Sequence, residues 1–102
     1  MKKFAIYQLR GSENRDLRFD LGYGSNRTET ATKAFAEGRY THVSNITAPD
    51  LNGVFEIGNI GPESYIERLG RMASVSVGDI IVDEDGTTSH VAPFGFDEIK
   101  AA

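Results

Sequence analysis

Ser74–Phe96 reads SVSVGDIIVDEDGTTSHVAPFGF. Val75 and Val77 alternate with Ser74 and Ser76, and Gly78-Asp79 bends the chain toward the compact apolar run Ile80-Ile81-Val82. Asp83-Glu84-Asp85-Gly86 then closes a hairpin, because Asp-Gly supplies the positive φ that a tight turn requires. Thr87 to Ala92 returns as a strand, and Pro93 marks an edge or a bulge. Phe94 and Phe96 point to one side around Gly95. This is the strongest β-pattern in the chain, and it predicts the centre of a small sheet.

Upstream, Lys3 to Leu9 (KFAIYQL) alternates with apolar groups on both sides, which predicts a strand whose two faces are both covered, ended by Gly11 and Ser12. Glu13 to Ser25 (ENRDLRFDLGYGS) is the least regular stretch. The spacing of Leu17, Phe19, Leu21 and Tyr23 fits a short strand reaching a tight bend at Gly22-Tyr23-Gly24. Asn26 to Glu37 reads as a helix, with Asn26 as cap, Gly38 as stop, and Ala31, Ala34 and Phe35 on one face. Arg39 to Ile46 is rich in β-branched and aromatic residues and predicts a returning strand.

Thr47-Ala48-Pro49-Asp50 reads as a helix start, with Thr47 as cap and Gly58 as the end. Gly61-Pro62-Glu63 predicts a further short helix with Tyr65, Ile66 and Leu69 inward and Gly70 as its stop. The chain is thus expected to form one domain spanning residues 1–102. Its fold class is α+β: a mostly antiparallel sheet of four to five strands with two or three short helices packed on one face. Lys3–Leu9 or the Phe94–Phe96 strand is expected at an edge, which makes a homodimer one expectation.

Composition narrows the chemistry. With 102 residues, 39% hydrophobic and 10% aromatic, the chain has the make-up of one folded domain. It has no cysteine, which excludes disulfides, thiolate metal sites and cysteine nucleophiles. No apolar run approaches a membrane span, and the N-terminal apolar stretch is interrupted by Gln8 and Arg10, so a cytoplasmic protein without membrane contact is expected. The net charge of −4 is uneven. Residues 1–51 carry eight Lys/Arg against six Asp/Glu, and residues 52–102 carry three against nine. An acidic second half disfavours non-specific nucleic-acid binding by the whole surface.

Arg10, Arg15, Arg18 and Arg27, close to Tyr7, Phe19 and Tyr23, form the chain's arginine–aromatic cluster. That mix suits phosphate contacts and base stacking. Pairing with Glu13, Asp16 and Asp20 at the surface is the other reading. Gly22-Tyr23-Gly24 lacks the third glycine of a dinucleotide fingerprint and the Gly-Lys-Ser/Thr of a Walker motif. The acidic run Asp83–Asp85 lacks the ligand spacing of a calcium loop. His42 and His90 lie on predicted strands with no carboxylate at metal-ligand spacing. Ser74 or Ser76 with His90 and Asp79 could be written as a triad, but no nucleophile elbow accompanies it. Glu63 and Glu67 stand one helical turn apart, as on an exposed helix face. The sequence designates no catalytic residue, no cofactor and no metal.

Five pieces in this order, FAIYQLR (Phe4–Arg10), RDLRF (Arg15–Phe19), PESY (Pro62–Tyr65), SVSVGDIIV (Ser74–Val82) and FGFDE (Phe94–Glu98), resemble YodL-like domains, small domains of bacteria, their mobile elements and phages. Asp20–Gly24 and Arg71-Met72-Ala73 depart from the pattern. The resemblance implies a non-catalytic accessory protein of a phage or mobile element, acting in the host cytoplasm by binding a host protein or itself. It draws attention to Arg15, Asp16, Arg18 and Phe19 as partner-binding residues, and Tyr23 joins them from the residues themselves, as part of an exposed patch expected with Phe19. A nucleic-acid or nucleotide binder using Arg10, Arg15, Arg18 and Arg27 is the first alternative, and an uncharacterised enzyme the second.

Overall fold

The structure, a computed structural model, describes residues 1–11, 14–24, 26–93 and 95–99. Expectations placed on Ser12, Glu13, Ser25 and Phe94 lie outside those residues. Six strands form one antiparallel sheet: β1 (Lys2–Leu9), β2 (Tyr40–Ala48), β3 (Ile66–Arg68), β4 (Ile80–Val82), β5 (Thr88–Val91) and β6 (Phe96–Ile99). Their order is β3-β2-β1-β4-β5-β6, and every neighbouring pair is antiparallel. Three helices, α1 (Arg15–Tyr23), α2 (Arg27–Ala36) and α3 (Leu51–Ile60), complete the α+β fold. The strand total exceeds the expected four to five by one, the additional strand being the three-residue β3.

β1 lies at the middle of the sheet rather than at an edge, paired with β2 on one side and β4 on the other. Its two apolar faces explain the helix arrangement. Phe4 and Ile6 share a core with Ile46, Ile81 and Val91, covered by Val54 and Ile57 of α3. Tyr7 and Leu9 share the opposite core with Tyr40, Ile80 and Ile99, covered by Leu17 and Leu21 of α1 and Ala31 and Ala34 of α2. The expectation of helices on one face is therefore corrected. A strand apolar on both sides needs cover on both, and the chain provides α1 and α2 on one face and α3 on the other. A bulge at Val43, between the pairs Ile6↔Ser44 and Tyr7↔His42, turns that valine fully into the first core.

Several local expectations change. Leu17, Phe19, Leu21 and Tyr23 lie on a helix, not a strand: Leu17 and Leu21 form one i,i+4 stripe facing the core, and Phe19 and Tyr23 a second facing out. Period two over four residues is also the signature of two interleaved helical stripes. Gly24 ends α1 at φ −73, and what demands glycine there is space, since a Cβ would collide with Asp20 O. Asp50, not Thr47, caps α3 and accepts from Gly53 N at 2.8 Å. Pro49 forces Ala48 to remain extended, so the helix cannot begin before it.

The helix expected after Gly61 is instead a single 3-10 turn, Glu63–Tyr65, running into β3. Ile66 to Arg68 completes the hydrogen bonding of β2's outer edge, and Leu69 N continues it to Val43 O at 2.9 Å. Leu69 is consequently exposed rather than inward. Residues 74–77 form no strand, although Val75 is buried.

Gly58 does not stop α3, which runs on to Ile60. It is a contact glycine, where an added methyl would overlap Val75. Gly58→Ala is expected to lower unfolding free energy by about 1–3 kcal/mol through overpacking. Gly70→Ala, where nothing lies within 4 Å, should stay within about 0.5 kcal/mol of the parent. Urea unfolding of the two variants checks this, and equal losses would contradict the close approach.

Candidate functional site

α1 is held by its inward stripe and presents the opposite one to solvent. Phe19 lies about 200° around the axis from Leu17. Phe19 is 64% exposed and Tyr23 77%, and their ring centroids stand 5.0 Å apart. Arg15 and Asp16 are exposed on the same side at the N-terminal end of the helix. Arg18 lies toward one flank, where it lines a crevice with Gln8, Val77 and Asp79. The structure thus brings Arg15, Asp16, Phe19 and Tyr23 onto one outward surface, with Arg18 beside it. Among the described residues, no ion pair joins Arg15 or Arg18 to Asp16 or Asp20.

The wider arginine set does not share this surface. Arg10 follows β1, and Arg27 opens α2, where it lines a separate crevice with Thr28, Glu29 and Asp97. Within α1 itself, Arg15 and Arg18 are matched by Asp16 and Asp20, leaving the helix surface without net charge.

The sequence reading named Asp79 and His90 but not the burial and partners that the structure gives them. The first is Asp79, 8% exposed, at the foot of the Arg18 crevice. Its Oδ2 accepts from Gln8 Nε2 at 3.0 Å and from Ser76 N at 2.9 Å. Burial pushes the carboxyl up to about 7, against the opposing pull of those two bonds. Tyr40, whose hydroxyl donates to Gly78 O at 2.5 Å, is raised above its ordinary range by burial and by the nearby Asp79 carboxylate. The available signal was Gln8, a polar side chain in an otherwise apolar alternation.

The second is His90, fully buried on β5 with Nε2 3.0 Å from Thr28 Oγ1 at the start of α2. Asp97 Oδ2 stands 3.6 Å from the same nitrogen. Burial lowers the His90 pKa, opposed by the Asp97 carboxylate. His42, by contrast, is exposed, stacked on Tyr7 and bonded to Asn45 Oδ1 at 2.8 Å. β1 and β4 separate the strands of the two histidines, about 14 Å of sheet, so the imidazoles do not meet.

The written triad does not assemble either. Asp79 belongs to the face of Gln8 and His90 to the face of Thr28. Glu63 and Glu67 are not one helical turn apart: Glu63 pairs with Arg68, and Glu67 accepts from Asn45 Nδ2 at 2.7 Å. Among the described residues, no group of three or more His, Asp or Glu is placed to hold a metal ion, and no helix is long and apolar enough to cross a membrane.

No family model, no curated protein and no solved structure matches this chain.

His90 carries a pH prediction with a definite sign. Its folded pKa lies below the ordinary 6.5, so the unfolded chain takes up a proton first as pH falls. Stability contributed by the neutral imidazole is present above about pH 6.5 and declines as pH drops through that value. The difference in urea-unfolding free energy between the parent and His90→Gln should shrink from pH 7.5 to pH 5.5. A constant difference would show that His90 does not titrate in this way.

Proposed function

We propose that this protein acts without catalysis, by binding another protein through the outer stripe of α1, with Phe19 and Tyr23 as the anchors and Arg15, Asp16 and Arg18 around them. One observation carries the reading: two large aromatic side chains, i and i+4 on a helix seated by its other face, stand against each other and are both largely exposed. Exposed aromatics of this kind on a short helix suit an apolar groove in a partner, entered at helical spacing. The balanced charge of Arg15, Asp16, Arg18 and Asp20 supports a protein groove rimmed by both signs over a polyanion, which would be repelled by two of the four. That balance is why a nucleic-acid role for Arg10, Arg15, Arg18 and Arg27 ranks second.

The resemblance to YodL-like domains fits this reading and extends it. It makes the chain an accessory protein of a phage or mobile element and the partner a host protein of the cytoplasm. Protein–protein recognition by a small module needs no cofactor and no metal.

A photo-crosslinking residue at position 19 should capture a discrete partner from host cells, and the same residue at Asp85, on the far hairpin, should not. Adding Tyr23→Ala to the position-19 probe should cut the yield at least tenfold. Phe55→Ala, an exposed aromatic on α3, should leave the yield unchanged. Phe19→Ala and Tyr23→Ala should each leave folding stability within about 0.5 kcal/mol, because both side chains are exposed. Identical capture from positions 19 and 85, or indifference to Tyr23→Ala, would overturn the assignment. A steep loss of nucleic-acid binding with salt would favour the second reading.

A further inference from the structure

Residues 71–77 belong to no helix or strand and form a strap that the turn Ser76–Asp79 hands on to β4. Gln8 Nε2 donates to Ala73 O at 2.9 Å, and Gln8 Oε1 accepts from Ala73 N at 3.0 Å. Asn59 Nδ2 donates to Val75 O at 2.9 Å. Held in this way, the strap forms one wall of the crevice beside Arg18, which encloses about 90 Å³. Val77, also in that wall, is 40% exposed.

The crevice has an acidic wall and a basic one. Asp79 Oδ2 is taken by Gln8 Nε2 and Ser76 N, and the main-chain N–H and C=O of Asp79 are bonded to Ser76 and Val91. Its Oδ1 accepts from no group among the described residues. The unpaired side-chain atoms that are fully buried among those residues are Arg27 Nε, Ser44 Oγ and His90 Nδ1, and Asp79 Oδ1 is not one of them. It therefore keeps a small opening on the crevice, on a residue only 8% exposed. Arg18, exposed on α1, enters no ion pair among the described residues and stands too far from Asp79 to bond it. Gln8 has both of its polar atoms committed to the strap and to Oδ2.

This crevice adjoins the α1 surface, with Arg18 next in sequence to Phe19. A partner seated on Phe19 and Tyr23 that extends over the Arg18 flank closes the mouth at Val77. Closure strips Asp79 Oδ1 of its remaining solvent contact, and a buried acceptor left unpaired is costly. Partners are thereby discriminated by what they insert. A carboxylate meets Asp79, an ammonium meets Arg18, and an apolar tip satisfies neither. A primary carboxamide presents a carbonyl to the basic wall and N–H groups to the acidic one. Its narrow end suits a crevice of this size, whereas a main-chain amide carries a Cα on either side.

We propose that Arg18 and Asp79 form a carboxamide-reading subsite beside the α1 anchors, in which an Asn or Gln side chain of the partner protein donates to Asp79 Oδ1 and accepts from the Arg18 guanidinium. The subsite rests on the reading of α1 as the docking helix and adds a requirement on the chemistry of the partner.

Acetamide is the probe, titrated into the isolated chain at pH 8, above the value of about 7 to which burial raises Asp79. NMR should show saturable shifts of the Arg18 Nε–H and of the Asp79 carboxyl carbon, a readout that requires no variant to fold. Acetate, methylammonium and N-methylacetamide should each need at least tenfold higher concentration for the same shift. Arg18→Met, at an exposed position, should abolish the Asp79 response. Asp79→Asn can keep an acceptor toward Gln8 and Ser76 and turn an N–H donor to the crevice, so acetate should now act at lower concentration than acetamide. Equal responses to acetamide and acetate in the parent, no response at Asp79, or a preference unchanged by Asp79→Asn would each overturn the subsite. N-methylacetamide as effective as acetamide would overturn the side-chain assignment. In host cells, Asp79→Asn should lower capture from position 19 at least threefold. A yield indifferent to Asp79→Asn but lost with Tyr23→Ala would sink the subsite and leave the α1 reading standing.

Discussion

A strand that is apolar on both faces sets the terms for everything around it. β1 carries Phe4 and Ile6 to one side and Tyr7 and Leu9 to the other, so neither side tolerates water. The helices must divide between the faces, and the neighbouring strands β2 and β4 must repeat the same two-sided pattern. Ile80 and Ile81, adjacent in sequence, accordingly fall into different cores. Burying a large aliphatic side chain contributes roughly 1.5–3 kcal/mol, and two such layers give a chain of this length a core on each side of its sheet. The α1 surface follows from this arrangement. α1 is present to cover Leu9 and Ile80, and its outward residues are free for other purposes.

The sequence was most legible where pattern and packing agree. The Ile80–Val82 strand, the Asp83–Gly86 turn, the returning strand through His90, and the Ala31–Ala34 face of α2 are all where periodicity places them. Gly86 has the positive φ that the hairpin requires, and Gly38 the one that ends α2. Legibility failed where one pattern served two structures. The alternation in Leu17–Tyr23 is shared by a strand and by two helical stripes, and only the presence of an uncovered sheet face selects the helix. Tyr65, Ile66 and Leu69 have helical spacing, yet the unpaired edge of β2 claims Ile66–Arg68 as a strand, with Tyr65 closing the 3-10 turn before it.

The surface residues of the candidate site, Arg15, Asp16, Arg18, Phe19 and Tyr23, were singled out by the arginine–aromatic clustering and by the resemblance, but their common face required the helix. Asp79 was hidden for a different reason. Gly78-Asp79 reads as an ordinary bend, and a bend aspartate is usually solvated. Its burial comes from Gln8, seventy-one positions away in the chain, and from the strap folding back over both. His90 is hidden in the same manner: Thr28, the helix residue its ring meets, is remote in sequence. Beyond a polar residue such as Gln8 interrupting an apolar alternation, side chains that close long loops leave little local trace, since their partners are chosen by topology rather than by neighbours.

The outermost strand β6 has the sequence Phe96-Asp97-Glu98-Ile99, and Asp97 and Glu98 point to opposite faces of the sheet. A second copy pairing antiparallel along this edge, with faces matched, can adopt only registers that oppose residues of the same face. In the registers centred on either acidic residue, Asp97 meets Asp97 or Glu98 meets Glu98, and like charges directly opposite each other oppose the pairing. The other edge, β3, offers only three residues. Among the described residues, the sheet is bounded on one side by a strand with a carboxylate on each face and on the other by a strand of three residues, and both features disfavour pairing at an edge.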